Sequence, residues 1–114
     1  MAKIVENVMH IPLNDNDGKS LRSLIEAFER VVLGAYGGFT AHNASGAWMS
    51  PEGKVYAEPM RRYVVAFDVE DKKLADFWLD IARLSAKVMR QECIYVTLDG
   101  AVHFAAPSDL GVMH

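Results

Sequence analysis

"GAWMSPEGKVYAEPMRRYVVAF", residues 46–67, contains the signals that decide the fold. Two runs rich in apolar and aromatic residues flank a turn, in which Pro51 presets φ and Gly53 accepts the positive φ that many turns require. This pattern predicts a β-hairpin. Glu58 and Pro59 are unexpected in the second strand, because proline donates no ladder hydrogen bond and is confined to sheet edges or bulges. Bulges recur beside active sites, so Glu58 is the first candidate for a functional side chain.

Strands and helices alternate on either side of this hairpin. Apolar residues recur at helical spacing in two stripes. The first consists of Leu21, Leu24, Ile25, Phe28, Val31 and Val32, and the second of Leu74, Phe77, Trp78, Ile81, Leu84 and Val88. Gly34 is the expected C-cap of the first helix. The expected elements are strands over about 3–12, 38–49, 54–69 and 92–98, a short fifth strand or continuation over 101–105, and helices over about 20–33 and 71–90.

The order βαββαβ predicts an α+β fold. Two helices must then cover one face of an antiparallel sheet, which is the ferredoxin-like sandwich. We expect a single domain over residues 1–114, with a loose tail from about residue 107. The opposite sheet face has no helix to cover it, and a partner subunit is required if that face is apolar. The candidates for such a face are Trp48, Tyr56, Tyr63 and Tyr95.

Composition argues against several functional classes. The net charge of −3 and the lack of a stretch rich in lysine and arginine argue against nucleic-acid binding. No apolar run approaches the ~20 residues of a membrane span. The N-terminus has no signal-peptide pattern, so we expect a cytoplasmic protein.

Metal and nucleophile chemistry have no sequence support either. Neither H-x-x-x-H nor paired Cys/His spacing occurs, so we predict no metal site and no cofactor. The single cysteine, Cys93, has no evident activating base and is interpreted as a buried small apolar residue. The histidines considered as ligands are His10, His42, His103 and His114.

Two carboxylates are not explained by a loop or a solvated helix face. Glu58 lies inside a predicted strand, and Glu92 lies where the second helix gives way to the fourth strand. For both, a structural role in which the carboxylate is simply solvated stays open.

Several short blocks of the chain resemble the phage enzymes that destroy S-adenosylmethionine (SAM), long called SAM hydrolases and better described as SAM lyases. In "GAYGGFTAHNASGAW" the shared positions are Gly34, Tyr36, Gly37, Gly46 and Trp48. The family's glutamate falls on Glu58, twelve residues after Gly46. The similarity continues in "IARL" (81–84) and in "QECIYV" (91–96). It departs at Pro59, where some relatives have a second acid.

The resemblance implies a function and an assembly. Such enzymes form trimers of ferredoxin-like subunits, bind SAM at subunit interfaces and need no metal. The substrate's own carboxylate attacks its γ-carbon and expels 5′-methylthioadenosine, which leaves homoserine lactone. Depletion of SAM serves the phage as an anti-restriction device. The implied catalytic residues are Glu58 and Glu92, and the implied substrate-binding residues are Trp48, Tyr36, Tyr56 and Gly46.

An alternative function belongs to another class. A non-catalytic ferredoxin-like oligomer can bind a small molecule, or inhibit a host protein by contact. The pair Glu58 and Glu92, together with the glycines shared with the SAM lyases, distinguishes the enzyme from this alternative. A module that acts by contact alone does not need the two carboxylates.

Overall fold

The computed structural model describes residues 2–110, in which two helices pack on one face of a five-stranded antiparallel sheet. The α+β prediction is confirmed, and the architecture agrees with the ferredoxin-like description. The strand order is β2-β3-β1-β4-β5, so the fifth strand extends the sheet beyond β4. The elements are β1 (Ile4–Pro12), α1 (Arg22–Tyr36), β2 (Thr40–Met49), β3 (Val55–Asp68), α2 (Lys72–Val88), β4 (Ile94–Leu98), β5 (Ala101–Ala105) and a 3-10 helix (Pro107–Leu110).

The expected loose tail from about residue 107 is described only in its first four residues and stays a prediction. The 3-10 helix occupies the first four tail residues. Residues 111–114, including His114, lie outside the described part of the chain. A single domain over residues 1–114 therefore stays a prediction. No helix within residues 2–110 combines the length and the apolar composition that crossing a membrane takes.

Helix α1 ends later than expected. Gly37 adopts a φ of 84° and its N–H donates to the Leu33 carbonyl at 2.9 Å, so Gly37 is the C-cap. The prediction that Gly34 caps this helix is wrong. Gly34 lies inside the last turn, where glycine costs about 1 kcal/mol relative to alanine. That turn persists because it packs Tyr36 against the aromatic core.

Helix α2 begins at a side-chain cap. The Asp71 carboxylate accepts the N–H groups of Lys73 and Leu74 at 3.0 and 3.3 Å, which satisfies donors that the first helical turn leaves free. Trp78 is fully buried, and its Nε1 donates to the Thr97 carbonyl at 2.9 Å.

The apolar stripe of α2 is narrower than its sequence suggests. Ala82, Ser85 and Ala86 are buried because small side chains let the helix approach the sheet closely. The outer members of the predicted stripe remain exposed, namely Phe77, Leu84 and Val88.

The sheet has one buried face and one uncovered face. In β3 the alternation places Tyr63, Val65 and Phe67 under the helices, where all three are buried. The expectation that Tyr63 lies on the uncovered face is therefore wrong. Its hydroxyl donates to the Glu29 carboxylate at 2.5 Å, and burial together with this carboxylate raises the pKa of Tyr63. The alternate residues of β3, including Glu58, face away from the helices.

Candidate functional site

The uncovered face of the sheet carries a groove of about 510 Å³. Side chains from the first four strands, from β5 and from the connection between α2 and β4 line it. Three of the predicted site residues, Trp48, Glu58 and Glu92, lie together in this lining. The volume falls within the ~300–1,000 Å³ typical of small-molecule sites.

The end of β1 explains why the Glu58–Pro59 pair is tolerated in a strand. The register between β2 and β3 runs without interruption through both residues, so no bulge is needed. β1 ends at Pro12, opposite Met60, and the N–H of Leu13 donates to the Pro59 carbonyl at 3.3 Å. The N–H and C=O of one residue in an antiparallel strand point to the same neighbour. The missing N–H of Pro59 thus falls at the edge where the ladder with β1 ends, and there the Leu13 carbonyl accepts the N–H of Leu21 instead.

Beyond this edge, β2 and β3 continue alone as a two-stranded hairpin arm, residues 45–59. On the groove side of the arm, the rings of Trp48 and Tyr56 stack at 4.6 Å with an interplanar angle of 17°. They are 55% and 41% exposed, so this aromatic platform is open to a ligand or a partner. Flat rings and cations both bind well to such a surface.

Gly46 is opposite Glu58 in the register and leaves space that Met60 fills. A Cβ atom built on Gly46 would lie 2.6 Å from the Cε atom of Met60. Met60 lines the groove, so the lack of a side chain at Gly46 sets the shape of the groove floor.

Both predicted carboxylates share the groove lining with Cys93. Burial, then Glu92 and then Glu58, raises the pKa of the Cys93 thiol, which places both carboxylates within electrostatic reach of one sulfur atom. A protonated thiol is a poor nucleophile. The expectation that Cys93 is buried is wrong, because β4 begins at Ile94 and it is Ile94 that enters the core, while Cys93 is exposed in the groove lining.

Tyr36 is the predicted site residue that the fold does not bring to this groove. It lies in the helix layer, on the other side of the sheet, with its ring 4.8 Å from Phe67 and 5.6 Å from Trp78. Its hydroxyl donates to the Leu74 carbonyl at 2.7 Å. Burial raises the pKa of Tyr36, and these contacts assign it to the core.

A basic cluster of His10, His42 and Arg62 adjoins the groove and was not among the site residues predicted from the sequence. The Nη1 atom of Arg62 lies 2.8 Å from Nε2 of His10, whose ring stacks on Tyr95 at 4.5 Å. Since a guanidinium has donors only, Nε2 accepts and His10 is neutral, with its proton on Nδ1. Burial, then the charges of Arg62 and His42, lowers the pKa of His10.

The sequence suggests the histidines only as candidate metal ligands. Within residues 2–110, no three His, Cys, Asp or Glu side chains come together as a metal site would require. The usable signal was strand alternation, because His10 is in phase with Val8 along β1 and Arg62 is in phase with Glu58 along β3.

Solved structures of phage SAM lyases have the same fold as this chain. One, in complex with S-methyl-5′-thioadenosine, aligns with a TM-score of 0.63 at 11% identity over 86% of this chain and 83% of that one. Another, in the apo state, aligns with a TM-score of 0.60 at 13% identity, over 90% and 85% of the two chains. No family model and no curated protein sequence matches the chain.

Proposed function

We propose that this protein is a SAM lyase that converts SAM to 5′-methylthioadenosine and homoserine lactone. One observation carries the proposal. Trp48, Glu58 and Glu92, which the sequence resemblance singles out, line a single groove on the uncovered face of a sheet whose fold phage SAM lyases share. In a phage-infected cell, such an activity in the cytoplasm would deplete host SAM and blunt restriction.

The reaction requires little acid–base chemistry from the protein. An oxygen of the substrate carboxylate bonds to the γ-carbon, the bond from that carbon to sulfur breaks, and its electron pair stays on sulfur. The sulfonium leaves as a neutral thioether, so no proton has to be delivered to it. The groove has to hold the amino-acid chain folded back, and such orientation can supply several kcal/mol of a barrier.

The groove residues suit this task. Trp48 stacked on Tyr56 offers a platform for the adenine ring. Glu58 and Glu92 can hold the substrate's ammonium group or its ribose hydroxyls. Neither carboxylate should pair closely with the sulfonium, because that charge disappears in the transition state and stabilising it would slow the reaction. Gly46 leaves the space that the Met60 side chain occupies at the floor of the groove.

We further propose a homo-oligomer, the trimer that the resemblance implies. The hairpin arm carries apolar side chains on both faces, with Trp48 and Tyr56 on one and Met49 and Val55 on the other, all between 41% and 65% exposed. Apolar exposure of this kind on a projecting element is typical of a surface that a partner covers. A second subunit at the arm would close the groove near Glu58.

Incubation of the purified protein with SAM, followed by chromatography for 5′-methylthioadenosine and homoserine lactone, tests the activity directly. S-adenosylhomocysteine is the matched control, because its sulfur is already a neutral thioether and has no driving force to leave. Glu58→Gln and Glu92→Gln should each slow the release. Unchanged SAM after prolonged incubation with the folded parent protein would contradict the proposal.

The alternative, a non-catalytic oligomer that binds a small molecule or inhibits a host protein, is favoured by one departure. Pro59 stands where some relatives have a second acid. Under this alternative the parent protein binds SAM, or a host protein, and releases no 5′-methylthioadenosine.

A further inference from the structure

Arg62 is a half-buried cation on the uncovered sheet face, and no carboxylate of residues 2–110 forms an ion pair with it. All the ion pairs within residues 2–110 use basic side chains other than Arg62. Its neighbour Arg61, on the helix side, is paired at 3.4 Å with Glu29 and donates to Asn43 at 3.2 Å. A guanidinium that is partly withdrawn from water without an anion is costly, and its remaining donors match a carboxylate.

The neighbours of Arg62 preserve its charge. His10 on β1 accepts one of its hydrogen bonds as a neutral imidazole, and His42 on β2 is directly opposite it in the register. Both imidazoles flank the guanidinium without neutralising it. His10 and Met60 both line the groove, and Arg62 follows Met60 on the same face of β3, so the guanidinium lies at the end of the groove, next to His10.

Along the uncovered face of β3, the side chains change from aromatic at one end to basic at the other. Tyr56, Glu58, Met60 and Arg62 follow one another on this face. At ~3.3 Å per residue the row spans about 20 Å between the outermost Cα atoms. An aromatic platform stands at one end and an unpaired cation at the other.

We propose that Arg62 binds the α-carboxylate of the substrate, with the nucleoside held on the hairpin arm and Glu58 at the ribose. This inference rests on the proposed function and fixes the direction of the ligand in the groove. Arg62 holding one carboxylate oxygen leaves the other free to attack the γ-carbon. Because the carboxylate loses charge as that bond forms, Arg62 stabilises the bound substrate at least as well as the transition state. Its loss should raise KM for SAM and leave kcat nearly unchanged.

Calorimetry with three uncleaved probes separates this role from general support of the groove. S-adenosylhomocysteine retains the carboxylate, its methyl ester lacks the charge, and 5′-methylthioadenosine lacks the whole amino-acid portion. Arg62→Gln should weaken the binding of S-adenosylhomocysteine about ten- to hundredfold, as expected for a lost charge-assisted hydrogen-bond pair. The affinities of the variant for the ester and for 5′-methylthioadenosine should stay within about twofold of those of the parent protein. Arg61→Gln, the matched control on the other face of the same strand, should leave the ratio between the probes unchanged.

Three results would overturn the inference. Parent-like affinity of Arg62→Gln for S-adenosylhomocysteine, with 5′-methylthioadenosine still bound, removes the carboxylate contact and leaves the proposed function intact. Equal weakening of all three probes would assign Arg62 to support of the groove as a whole. If the parent protein binds none of them and releases no 5′-methylthioadenosine from SAM, the proposed function and this inference fail together.

Discussion

Replacement of Glu58 by glutamine is the most direct test of the site, because it keeps the shape of the side chain and removes its charge. The side chain of Glu58 makes no hydrogen bond or ion pair within residues 2–110, and it is exposed at the edge of β3. The fold therefore does not depend on its charge. A charge-assisted hydrogen bond to the ligand contributes about 1.5–3 kcal/mol. Its loss corresponds to about a ten- to hundredfold fall in kcat/KM for SAM cleavage.

The assay follows release of 5′-methylthioadenosine from SAM by the parent and the variant at several substrate concentrations. Thermal unfolding and solution mass are measured on the same samples, and both should match those of the parent. Glu6→Gln is the matched control. Glu6 is exposed on the same uncovered face of the sheet, in β1, but it does not line the groove.

Two results would refute this reasoning. Parent-like cleavage by Glu58→Gln would mean that the carboxylate does not contact the substrate. A fall of the same size in Glu6→Gln would mean that the net charge of the face matters, and not a specific contact.

Trp48→Ala should raise KM for SAM several-fold in steady-state cleavage assays, since the indole is exposed and its loss removes half of the stacking platform. Gly46→Ala should fold, because the added methyl group displaces only the flexible end of Met60, yet it should weaken 5′-methylthioadenosine binding in calorimetry. The free energy of unfolding should fall as the pH drops below 6.5. The pKa of His10 is lowered in the folded protein, so in this range the unfolded chain binds more protons than the folded protein does. His10→Gln should flatten this slope in urea titrations between the ordinary histidine pKa and the lowered one, and His103→Gln should not. Light scattering should show a mass above 12.7 kDa at micromolar concentration, and a monomer would remove the support for a site shared between subunits.

Local patterns of the sequence determined the element order and the helix-covered face. The turn at Pro51 and Gly53 formed as predicted, because proline and glycine restrict or extend φ regardless of the rest of the chain. Amphipathic periodicity correctly selected Ile25 and Phe28 of α1 for the core. The oddity of Glu58 beside Pro59 was also visible locally, because the backbone chemistry of proline is independent of context.

Only the tertiary structure decided which distant residues share the groove. Strand register sets the face on which a side chain lies, and a shift of one residue reverses it. For this reason the predicted face of Tyr63 and the predicted burial of Cys93 are wrong. The same register brings Arg62 beside His10, a contact between strands that lie 52 residues apart in sequence. The sequence alone could nominate Glu58, but its surroundings come from pairings between distant strands, which depend on the packing of the whole sheet.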